Sequence, residues 1–152
     1  MISFHGDPPA ELIVSRSKAC YVLLMNPSPH ADDFWLRLAE AEVQTTLCAL
    51  PDDLRDRLQD VPVLLDDIPG RHLLDDGLPD DLLGIFEGPC YGERTMDNSS
   101  QPPTITLFIA NLRDETHDDP DAFRQEVRTT LLHEIGHYLG LGEDDLAARD
   151  LE

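Results

Sequence analysis

Basic side chains are scarce in this chain. Its 152 residues hold 11 Lys and Arg against 31 Asp and Glu, a formal charge of −20. Phosphate backbones are bound by Lys and Arg, so the balance excludes nucleic acid as the expected partner. It equally argues against anionic membrane surfaces. Cationic substrates fit the charge better. Long apolar runs are also missing. No stretch nears the ~20 apolar residues of a membrane span, and the longest early run, Ala19–Met25, has seven residues and no A-x-A-like cleavage site. Cysteine is sparse and odd in number: Cys20, Cys48 and Cys90, with no C-x-x-C pair. That excludes a disulfide framework and a thiolate zinc site, and it suits reduced thiols in a cytoplasmic protein.

One stretch stands out against this background. Residues 130–144 contain His133-Glu134-x-x-His137. On a helix, positions i and i+4 share a face one turn apart, so two imidazoles at that spacing bind one zinc ion. Glu134 is offset round the helix, where it reaches a water rather than the metal. At about 100° per residue, Phe123, Val127, Leu131, Ile135 and Leu139 form one apolar stripe. His133 and His137 fall beside that stripe, at the rim of the predicted core. Gly140 is suited to the left-handed conformation that ends a helix. The chain then turns back toward Glu143, a carboxylate candidate for third ligand, with Asp144 as the substitute. The acids Glu143-Asp144-Asp145 would also serve simply to cap a short last helix.

Elsewhere the chain reads as follows. Residues 1–30 form an N-terminal extension holding one weak strand signal, Ala19–Met25; residues 31–152 form the domain. Ala31–Ala49 has helical spacing through Phe34, Leu38, Ala41, Thr45 and Cys48, with Trp35 and Leu36 widening the apolar face and the aromatic pair packed in the core. Pro51 opens a second helix running to Gln59. Val61–Leu65 is a short strand whose Pro62 suggests an edge or a strand start. Asp66–Asp81 is a solvated loop, its paired acids lacking the spacing of a calcium loop. Leu82–Gly88 is a second strand in which Gly84 permits close backbone approach. Thr104–Ala110 alternates as the clearest strand, and Asn111–Asp119 is a polar connection to the long helix. The sum is an α+β fold, helices segregated from a small mixed sheet.

The chain resembles the small zincin-like metallopeptidases called mini-zincins over about residues 33–147. The resemblance rests on Ala49-Leu50-Pro51-Asp52-Asp53-Leu54, on Leu82–Gly88, on Ile105-Thr106-Leu107-Phe108, and most specifically on Leu132–His137 through Gly140–Leu146. The pattern His133-Glu134-x-x-His137-x-x-Gly140-x-x-Glu143 is also similar to the extended metzincin motif, with Glu143 departing from the His or Asp found there. Mini-zincins usually have Asp at that position. The resemblance implies a minimal zincin-like fold, a small mixed sheet packed on helices with a long zinc-binding active helix. It implies His133, His137 and Glu143 as Zn²⁺ ligands, Glu134 as general base, and Gly84–Gly88 as the strand edge that takes a peptide or protein substrate. A zinc-dependent peptidase is the first functional expectation. A non-catalytic zinc-stabilised binding module is the alternative. Only nine residues follow Glu143, and Met1, Met25 and Met96 all precede the motif. The methionine turn and lower subdomain of larger zincins are therefore not expected, and a shallow cleft, or an enzyme needing a protein partner, is the expectation. Tyr91, Arg113, His117 and Tyr138 are polar residues to check near the site.

Overall fold

Strand β3 (Thr104–Phe108) is the axis of the sheet. Its alternation buries Ile105 and Leu107 on one face. In the computed structural model, which describes residues 33–93 and 101–149, β3 is flanked by β1 (Val63–Asp66) and β2 (Gly84–Glu87). β1 runs parallel to β3, with Val63 opposite Ile105 and Leu65 opposite Leu107. β2 runs antiparallel, with Gly84 opposite Leu107 and Phe86 opposite Ile105. The sheet is therefore mixed, in the order β1-β3-β2, with β2 at an edge among the described residues. Pro62 sits just before β1, where its carbonyl accepts from Ile105 N–H and its missing donor costs nothing.

The helices are α1 (Asp33–Ala49), α2 (Asp52–Leu58), α3 (Arg71–Asp75), α4 (Ile109–Glu115), α5 (Pro120–Tyr138) and α6 (Glu143–Ala147). α5 has the clearest local cause. The Asp119 side chain accepts from the backbone N–H of Asp121 and Ala122, and Pro120 takes the first turn. Phe123, Val127, Leu131 and Ile135 then bury completely or nearly so, as their spacing predicts. Each contributes about 1.5–3 kcal/mol by leaving water. They meet Val63, Leu65, Ile105 and Leu107 of the sheet and Trp35, Ala39, Val43 and Leu47 of α1 in one core. Arg128 of α5 donates to Oε1 of Glu42 on α1 through Nε at 2.9 Å and Nη2 at 2.6 Å. That pairing neutralises a carboxylate otherwise buried inside the α1–α5 interface.

Three expectations require correction. The face of α1 that packs is not the one through Phe34, Leu38, Ala41, Thr45 and Cys48. Phe34, Ala41, Thr45 and Cys48 are exposed, and the buried face runs through Trp35, Leu36, Ala39, Glu42, Val43, Thr46 and Leu47. Glu42 and Thr46 disguise it, because a partnered acid sits where an apolar residue is anticipated. Of the aromatic pair, Trp35 is core while Phe34 is 54% exposed, its ring edge-on to Trp35. Second, the loop from Asp66 to Asp81 contains α3, which starts after Gly70 and buries Leu73. Third, β3 stops at Phe108, and Ile109 already begins α4. There Ala110 N–H turns to the Asp67 carbonyl instead of continuing the ladder. The extension, the strand expected over Ala19–Met25, and Cys20, Met1, Met25 and Met96 lie outside the described residues.

Candidate metal centre

Near its C-terminus α5 carries His133 and His137 one turn apart, with ring centroids 4.6 Å apart and planes at 82°. Their Nε2 atoms approach to 2.9 Å. Both rings are half-buried beside the stripe rather than within it. Gly140 then ends the helix at φ +85°. Gly140 N–H donates to the His137 carbonyl and Leu141 N–H to the Gly136 carbonyl. That pair of bonds is a Schellman cap, and it reverses the chain within three residues. α6 begins at once with Glu143. Its Oε1 lies 3.1 Å from His137 Nε2 and its Oε2 3.8 Å from His133 Nε2.

These residues fit a zinc ion. Among the described residues, His133, His137 and Glu143 form the group whose donor atoms all lie within 4.8 Å of one another. Tetrahedral zinc with bonds of about 2.0–2.1 Å separates its donors by roughly 3.3 Å. The Nε2–Nε2 separation of 2.9 Å, and those of 3.1 Å from His137 to Oε1 and 3.8 Å from His133 to the other oxygen, Oε2, lie to either side of that value. His137 Nδ1 lies 3.3 Å from the Leu141 carbonyl. With Nδ1–H donating there, Nε2 presents its lone pair to the shared point, the usual way a ligating histidine is oriented. Asp144, the other carboxylate considered for the third position, is not in the group. Nor do the paired acids of the 66–81 segment or His72 assemble a second such group among the described residues.

Glu134 points elsewhere. It is 6% exposed, on the side of α5 facing β2. Phe86 supplies a backbone hydrogen bond to its carboxylate. Phe108 N–H bonds the Leu83 carbonyl, so in this antiparallel ladder positions 83, 85 and 87 turn their backbone groups to β3. Phe86 turns its own outward, at the sheet edge. Burial is the main influence on Glu134 and pushes its carboxyl above the usual range; His133, His137 and the Phe86 bond pull it back down, and Glu143 adds to the rise. β2 comes this close because position 84 is glycine. A Cβ there would lie 2.7 Å from Thr130 Cγ2 and 3.2 Å from the Thr106 carbonyl oxygen.

The polar residues flagged in the sequence all make structural contacts. Tyr138 is buried and its hydroxyl donates to the Arg57 carbonyl at 3.0 Å. Tyr91 packs edge-on to Tyr138, lies under the Arg57 guanidinium, and bonds the Tyr138 carbonyl through its N–H. Cys90 Sγ lies 3.4 Å from the His137 carbonyl, so the segment after β2 is tied to the end of α5. Arg113 pairs with Asp118 and stacks over Trp35, and His117 is a turn residue at φ +53°. Phe86 escapes a sequence reading because it acts through its backbone. The glycine at position 84 is the only signal that β2 lies so near α5.

Residues 58–152 match the family model described as a zincin-like metallopeptidase. A search of curated proteins finds no match to the chain.

Proposed function

Because the chain belongs to the zincin-like metallopeptidase family, with the α+β fold that the family implies, we propose that it is a zinc-dependent peptidase that hydrolyses peptide bonds. The single observation that carries the reading is the placement of Glu134. A site serving only to hold metal has no use for a buried carboxylate next to three convergent donors. His133 and His137 through Nε2, and Glu143 through its carboxylate, would hold the ion. Bound zinc supplies Lewis acidity, polarising the scissile carbonyl and lowering the pKa of water to about 7.

Glu134 moves the proton. Its carboxylate accepts it from the attacking water as the water oxygen bonds the carbonyl carbon. It then delivers that proton to the leaving nitrogen as the C–N bond breaks. Burial keeps Glu134 basic enough for the first transfer, and the Phe86 N–H holds its orientation. The outward edge of β2 supports the same reading, since extended peptides add as strands to such edges. With a charge of −20, peptides bearing Lys or Arg are the favoured class. No helix among the described residues is long and apolar enough to cross a membrane. The free thiols Cys48 and Cys90 suit the cytoplasmic setting that belongs to this proposal.

The test compares wild type with Glu134→Gln, both zinc-loaded, on a library of unstructured peptides. Gln is nearly isosteric and is not a donor to the metal, so zinc content should be unchanged. Cleavage should fall about 10²–10⁴-fold. Equal cleavage by both proteins would refute the role of Glu134. Zinc binding with no cleavage by either would favour a zinc-stabilised binding module.

A further inference from the structure

Glu143 is the outlying donor. Its side chain is 76% exposed, and it stands first in a helix of five residues. Holding an exposed carboxylate on so short a helix at a metal costs backbone freedom as well as side-chain freedom, unless its backbone is already fixed. The fixing contact lies one turn further on. Leu146 is fully buried, and positions three apart share a helix face. Its side chain sits against Gly136, between the two histidines on α5. A Cβ at Gly136 would lie 2.3 Å from Leu146 Cδ2 and 3.5 Å from its Cγ, with Leu141 Cδ1 at 3.7 Å. Leu146 thus fills the space that any side chain at position 136 would need. Glycine is a poor choice inside a helix, and Gly136 has no positive φ to account for it. The notch itself is its use.

We propose that Leu146, seated in the Gly136 notch, is a positioning residue that fixes α6 on the zinc helix and so holds the Glu143 carboxylate at His133 and His137. The proposal rests on the reading of these three as zinc donors. It assigns Gly136 and Leu146 a role in metal affinity although neither offers a ligand atom.

The experiment is a zinc titration against a chromophoric chelator for wild type, Glu143→Ala, Leu146→Ala and the Glu143→Ala/Leu146→Ala double variant, with thermal unfolding of each metal-free protein alongside. Glu143→Ala and Leu146→Ala should each weaken zinc binding about 10–100-fold, the range for losing a group that orients a ligand. In the double variant the second change should add nothing, because Leu146 acts through Glu143. Gly136→Ala, which drives a methyl into Leu146, should weaken binding comparably, and combining it with Leu146→Ala should be no worse than Leu146→Ala alone. If Leu146→Ala does not unfold cooperatively, Leu146→Val in the same cycle replaces it. Wild-type affinity in Leu146→Ala with weakened Glu143→Ala would overturn the proposal and leave the donor set standing. An equal loss from Leu146→Ala with Glu or Ala at position 143 would overturn it too, as general destabilisation. Wild-type affinity in Glu143→Ala would overturn the donor set itself.

Discussion

Gly84→Ala tests whether the closeness of β2 to α5 is a requirement of the fold. The added Cβ would lie 2.7 Å from Thr130 Cγ2, 3.0 Å from Leu107 Cδ2 and 3.2 Å from the Thr106 carbonyl oxygen. Carbon atoms pack best at about 3.5–4.0 Å, so something must move by ~1 Å. Thr130 and Leu107 are both buried, and the third contact is backbone. β2 itself must therefore shift away from α5. Overpacking of this kind costs about 1–3 kcal/mol. Restricting the unfolded chain returns about 0.4–1 kcal/mol, because Gly84 has no positive φ. The net expectation is a loss of about 1–2 kcal/mol, read from urea unfolding of the metal-free protein. The shift also lengthens the Phe86 bond to Glu134, so hydrolysis should fall by more than stability alone explains. Thr130→Ser removes the nearest carbon. In the Gly84→Ala background it should recover part of the loss, a coupling of about 0.5 kcal/mol or more. A Gly84→Ala protein as stable as wild type, or one indifferent to Thr130→Ser, would refute the reasoning.

Arg128→Met should cost about 1–3 kcal/mol, since it leaves the Glu42 carboxylate buried without its charged donor; denaturant midpoints for it and for Glu42→Gln/Arg128→Met check this, the double variant being the milder. The metal-free Glu134→Gln protein should be more stable than metal-free wild type at pH 7. The folded carboxyl is raised above its unfolded value, so the stability it contributes is complete below about pH 4.3 and is lost as pH rises through the folded value. Glutamine escapes that loss, and the advantage should vanish in acid; unfolding in chelator across that range reads the sign. Glu143→Asp should retain one zinc per chain by metal analysis, because the carboxylate donor survives, and loss of the ion would mean that the longer side chain is required to span from α6.

The parts of the molecule legible in the sequence are those where one periodicity governs. α5 is such a case, with Asp119, Pro120, four buried apolar residues and Gly140 all stating the same helix. The pairing of His133 with His137 follows from helical geometry, and the turn to Glu143 from glycine's freedom at φ +85°. β3 reads correctly until Phe108, but Ile109 and Ala110 extend the alternation by chance, and only the bond from Ala110 N–H to the Asp67 carbonyl shows that the chain has left the sheet. α3 is hidden because five residues with one buried leucine have too little pattern to detect. α1 misleads because its buried face includes an acid whose partner is 86 positions away. Leu146 and Gly136 look like an ordinary leucine and a weak helix residue until their contact is seen.

That long separation between Glu42 and Arg128 also orders events as the chain leaves the ribosome. α1 emerges with Trp35, Ala39, Val43 and Leu47 uncovered, and the element that covers them, α5, does not begin until residue 120. Domains are synthesised from the N-terminus at about 5–20 residues per second, so for several seconds the nascent chain carries an apolar helix without α5, its main partner among the described elements. β3, which both other strands need, arrives only at residue 104. Closure of the core therefore waits for the segment that bears His133 and His137, and Glu143 follows within a few residues. A half-made chain has neither a core nor a metal donor set, and during synthesis it should lean on chaperones until α5 docks.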